Sequence, residues 1–114
     1  RVEEGGPVTK GAGPRHLRIG ELDINFEFHE VRVCGHVVTL TATEFSILSI
    51  LAASPGEVFT RSHLLDRLED GGGIYERTLD RHINNLRKKV EPDPHNPKYV
   101  ITVYGVGYKV VRHA

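Results

Sequence analysis

A chain of 114 residues, 39% of them hydrophobic, has the size and apolar content of one small globular domain with a modest core. No apolar run approaches the roughly 18 residues that span a bilayer, the start lacks the basic-then-apolar pattern of a secretory signal, and the single cysteine, Cys34, supports neither a disulfide framework nor a thiolate zinc site. The expectation is a soluble protein of a reducing cytoplasm, and the missing initiator methionine suggests a fragment or processed chain. The net charge of zero hides an asymmetry: residues 1–60 carry 5 basic and 8 acidic side chains, residues 61–114 carry 10 and 7, so a polyanion is expected to meet the second half.

Residues 1–14 hold four glycines and two prolines with hardly any apolar content, too little to order themselves. A linker is expected over 1–16 and a folded domain over 17–114. From 17 to 40 the pattern alternates and is rich in Val, Ile and Phe, with breaks near Gly20, His29–Glu30 and Gly35–His36, which predicts a meander of three or four short antiparallel strands. Thr41-Ala42-Thr43-Glu44 has capping-box spacing, and Phe45, Leu48, Leu51 and Ala52 follow at helical intervals until Pro55-Gly56. Thr60 caps a shorter predicted helix whose Leu64, Leu65 and Leu68 point inward, closed by Asp70 and the triple glycine 71–73, a flexible loop. A third helix is predicted over 75–90, with Leu79, Ile83, Leu86 and Val90 forming one apolar stripe. Pro92, Pro94 and Pro97 prevent its continuation, and strands at 99–103 and 108–111 joined through Tyr104-Gly105-Val106-Gly107 end the chain in a hairpin.

Opposite that stripe, at 100° per residue, the third helix carries Arg77, Arg81, Asn84 and Lys88, with Asn85 beside them and Arg87 and Lys89 on the flanks. Arginine pairs in bidentate fashion with guanine O6 and N7, and asparagine with adenine N6 and N7, in the major groove. Lysines and the remaining arginines suit phosphates, which position without specifying sequence. Periodicity alone leaves open the plainer reading of a solvated polar face.

Four blocks in order, Leu40-Thr41-Ala42-Thr43-Glu44-Phe45-Ser46-Ile47-Leu48, Ser54-Pro55-Gly56-Glu57-Val58-Phe59-Thr60-Arg61, Glu76 through Lys89, and Thr102-Val103-Tyr104-Gly105-Val106-Gly107-Tyr108, resemble the effector domain of OmpR/PhoB-type response regulators over residues 17–112. The resemblance implies an α+β winged helix-turn-helix with an N-terminal antiparallel β-sheet, a three-helix bundle and a C-terminal β-hairpin wing. It implies double-stranded DNA as partner, at direct-repeat promoter sites. It also implies a receiver domain in the same full-length chain and a cognate sensor histidine kinase acting through that receiver. Position by position, Arg77, Arg81, Asn84 and Asn85 match groove-facing sites, His82, Arg87 and Lys88 match sites near the DNA backbone, and Thr102 and Tyr104 match the wing. Two departures stand out. Tyr104 replaces the wing arginine of many relatives, so a hydroxyl contact or stacking on sugar replaces a charged insertion. The loop that in the family often begins Trp-Gly and can contact RNA polymerase is here Glu69-Asp70-Gly71-Gly72-Gly73-Ile74, without the aromatic.

Other signals point to structure. Seven scattered histidines lack ligand spacing, and Gly105-Val106-Gly107 lacks the third glycine and following helix of a dinucleotide site, so no metal or cofactor is expected. Asp80 is expected to pair with Arg61 or, at i+4, with Asn84, and Cys34 to be a half-buried strand residue. No nucleophile, base and orienting group assemble, so no catalytic residue is expected. A winged-helix module that binds protein is the rival, and the polar face of the third helix, without aromatic anchors, separates the two.

Overall fold

A computed structural model describes residues 15–68 and 76–112. The first part is a four-stranded antiparallel meander, β1 (His16–Ile19), β2 (Leu22–Asn25), β3 (Glu30–Val33) and β4 (His36–Val38), in sequential order. Alternation decides its facing: Ile19, Leu22, Ile24 and Val31 are buried, and their neighbours Arg18, Asp23 and Arg32 point away. Of the three or four strands expected, four form, and β1 begins at His16, inside the expected linker. Of that linker, 1–14 lies outside the described residues, as does the triple glycine. Cys34 is exposed at φ +53° in the β3–β4 turn, not half-buried in a strand. The two-residue turn with Gly35, itself at φ +82°, requires the left-handed backbone there.

Helix α1 (Ala42–Ala52) starts at the expected capping box: Glu44 N–H donates to Thr41 Oγ1 (3.1 Å) and Thr41 N–H to Glu44 Oε1 (3.0 Å). Strand β5 (Phe59–Thr60), absent from the sequence reading, precedes α2 (Arg61–Arg67), which Thr60 caps through His63 N–H. Helix α3 (Glu76–Val90) follows, then β6 (Val100–Val103) and β7 (Gly107–Val110). Strand β7 is central in a second sheet ordered β5-β7-β6. The hairpin is therefore not free: Phe59 pairs with Tyr108 and Thr60 with Gly107. One core joins both sheets and the helices, with Leu48, Leu51, Leu64, Leu79, Ile83, Leu86, Tyr99 and Val110 essentially inaccessible. Tyr99 also accepts the Glu21 N–H at its hydroxyl (3.0 Å), linking the foot of β6 to the β1–β2 turn. No helix among the described residues is long and apolar enough to cross a membrane.

Candidate nucleic-acid interface

The stripe expected from periodicity sets the orientation of α3, since Leu79, Ile83, Leu86 and Val90 are all 0% exposed. Arg81, Asn84 and Lys88 stand opposite, exposed to solvent, with His82 and Asn85 half-buried beside them. Among the described residues none of these five has a hydrogen bond or ion pair from its side chain, so their donors are available to a ligand. Arg77 is helical, but its side chain lies outside the described set.

Two of the expected binding cations are engaged inside the protein. Arg87 is only 9% exposed: Nε donates to Val100 O (3.0 Å), a terminal nitrogen donates to Thr102 Oγ1 (2.7 Å), and the guanidinium lies 5.7 Å from the Tyr108 ring centre. Thr102 is occupied by the same contact. Lys89 Nζ donates to Glu44 Oε1 (2.7 Å), tying the end of α3 to the start of α1. Glu44 is buried, which pushes its carboxyl pKa up, but hydrogen bonds from Lys89 and Thr41 and the lysine charge outweigh this and hold it below its ordinary range. Both cations sit one position from the apolar stripe, where neighbouring elements supply acceptors that periodicity does not reveal.

Asp80 pairs with Arg61, as one of the two alternatives held, through Nε–Oδ1 (3.0 Å) and a second contact to Oδ2 (3.3 Å). Tyr108 O–H also donates to Asp80 Oδ1. The Arg61 hydrogen bonds are the main reason that the Asp80 carboxyl lies below its ordinary range, against desolvation and with help from Tyr108. Burial, then the Asp80 hydrogen bond, raises the Tyr108 phenol. This cluster joins α2, α3 and β7.

The β6–β7 turn presents Tyr104 at 91% exposure, with Val106 also exposed and Gly105 at φ +80°. A carboxylate that sequence reasoning passed over anchors the approach to the hairpin: buried Glu91 accepts the backbone N–H groups of Lys98, Tyr99 and Val100 at 2.8–3.0 Å. Only its place between the helix and a proline-rich loop hinted at such a role. A groove of about 550 Å³, lined by Phe26, His29, Phe45 and Ile50 among others, contains none of these residues.

The chain matches the family model described as "Transcriptional regulatory protein, C terminal" over residues 35–110. It is 41% identical over 95 residues to the sensory transduction protein RegX3 of Mycobacterium leprae, covering 82% of this chain and 48% of that one. Among solved structures it is similar to the response regulator DrrB, a Thermotoga maritima OmpR/PhoB homolog, with TM-score 0.79, 34% identity and coverage of 85% and 44%. It is also similar to the Klebsiella pneumoniae RstA DNA-binding domain in complex with RstA box, with TM-score 0.76, 29% identity and coverage of 88% and 100%. The chain spans less than half the length of the curated relatives it matches.

Proposed function

The chain belongs to the C-terminal family of transcriptional regulatory proteins, the OmpR/PhoB-type effector domains, and on that premise we propose that it binds double-stranded DNA sequence-specifically through α3 and the β6–β7 wing to control transcription. The observation that carries the reading is the row Arg81, Asn84 and Lys88, exposed and unpartnered opposite a fully buried stripe. A helix of this width fits the major groove, where Arg81 and Asn84 address base edges and Lys88 a phosphate. His82 and Asn85 flank this row, and Arg77 extends it toward the helix start. Tyr104 meets the adjacent minor groove or its sugars. No large apolar side chain is exposed on the described part of α3, which argues against a protein partner there.

In the intact protein this domain follows a receiver domain addressed by a sensor histidine kinase, and pairs of domains occupy direct-repeat half-sites about one helical turn apart. Glu69 through Ile74 is the segment that would meet RNA polymerase. The test is selection of duplexes from a random pool. Enrichment of one short motif, repeated in the same orientation about 10 base pairs apart when two domains bind, supports the reading. Recovery of unrelated sequences with no motif overturns it.

A further inference from the structure

Arg87 occupies the basic last turn of α3, where the resemblance matches it to a site near the DNA backbone, yet it is buried. A guanidinium taken out of water is tolerated where its donors are matched, and its planar fork makes it the side chain suited to spanning two acceptors while stacking on a ring. Its three partners, Val100 O, Thr102 Oγ1 and the Tyr108 ring, all lie on the two strands of the wing. Seven residues earlier, two helical turns away on the same side, Asp80 accepts the Tyr108 hydroxyl. Helix α3 thus holds the hairpin at two points along its axis, and two points fix angle as well as distance.

We propose that Arg87 is a positioning residue that sets the wing against the recognition helix, fixing where Tyr104 stands relative to Arg81 and Asn84, and that it makes no phosphate contact. The proposal rests on the DNA-binding reading above. Lysine at this position keeps the charge and loses the fork, whereas Thr102→Val removes only the hydroxyl acceptor of the wing.

The test combines Arg87→Lys, Arg87→Met and Thr102→Val, each with and without Tyr104→Ala. Affinities are measured for the selected duplex across several salt concentrations, and hydrogen exchange of residues 103–106 in the free domain. Positioning predicts that all three variants leave the salt slope unchanged and lower specific affinity about fivefold or more. It also predicts that Tyr104→Ala, costly in the parent, becomes nearly silent beside them, because coupled sites are non-additive. Exchange in the wing should quicken without a matching change in α3. A phosphate contact predicts instead that Arg87→Met lowers the salt slope by about one unit while Tyr104→Ala keeps its full cost. That outcome, or unchanged wing exchange in a folded Arg87→Met or Thr102→Val protein, overturns the proposal. If no duplex binds at all, the DNA-binding reading fails, and the exchange measurement still decides whether Arg87 sets the wing.

Discussion

At position 107 no side chain fits. A Cβ built there would lie 1.9 Å from the carbonyl oxygen of Phe59, and the strand cannot retreat without giving up its pairing with β5. Gly107→Ala should therefore cost roughly 3 kcal/mol, measured by urea unfolding. Gly105→Ala has open space and only an unfavourable φ of +80° to overcome, so about 1 kcal/mol is expected. Arg81→Ala or Asn84→Ala should leave stability unchanged, cost roughly 1–3 kcal/mol on the selected duplex and relax discrimination at one or two base pairs. Lys88→Ala should weaken all sequences alike and reduce the salt slope by about one unit. Unchanged affinity and discrimination in both Arg81→Ala and Asn84→Ala would remove α3 from the groove. Glu44 and Asp80, both with lowered pKa, contribute stability that is present above their ordinary values of 4.5 and 3.8 and is lost as pH falls through the lower folded values. Melting temperature should hold down to about pH 5 and drop below about pH 4, and Glu44→Gln with Asp80→Asn should flatten that drop.

Elements differed in how far they could be read. Helix α1 was legible because a capping box is local chemistry, satisfied within four residues, and α3 because a stripe of Leu79, Ile83, Leu86 and Val90 has one periodic solution. Strand β5 was not, since two residues carry no alternation and its pairing partner lies almost fifty positions away. The internal partners of Arg87 and Lys89 were not legible for a related reason. Four residues advance about 40° beyond a full turn, so Arg87 sits beside Ile83, and only the acceptors on β6 decide whether that edge is wet or dry. Glu91 shows the same dependence on distant partners. Glu91→Ala leaves three backbone donors without their acceptor and should cost about 1–3 kcal/mol. Leu86→Ala, a truncation of the stripe itself, should cost roughly 2–5 kcal/mol, and both are checked by thermal or urea melts.

At the scale of the whole molecule, the N-terminal meander and the wing share a core. Ile19, Leu22, Ile24 and Val31 belong to the same buried cluster as Leu51, Ile83 and Val110, and the Tyr99 hydroxyl ties the segment before β6 to the β1–β2 turn. Unfolding should accordingly follow a single transition, with tyrosine fluorescence and far-ultraviolet circular dichroism giving coincident curves. A separate early loss of sheet signal would show that the meander is an autonomous unit.

Along α3, the side chains that hold the protein together and those left free for a ligand fall at different positions. Asp80, Arg87 and Lys89 are tied to neighbouring elements, whereas Arg81, Asn84 and Lys88 touch no polar partner among the described residues. If α3 reads the groove as proposed, heritable change at these exposed positions retargets the domain without endangering it. Randomising 81, 84 and 88 together should yield variants that spread widely in operator preference yet melt within a few degrees of the parent, since exposed substitutions away from special features usually stay within about 0.5 kcal/mol. The same exercise at 80, 87 and 89 should instead lower and spread the melting temperatures. A duplicated copy of this gene would thus have a short path to a new regulon, three codons long, with the scaffold left as inherited.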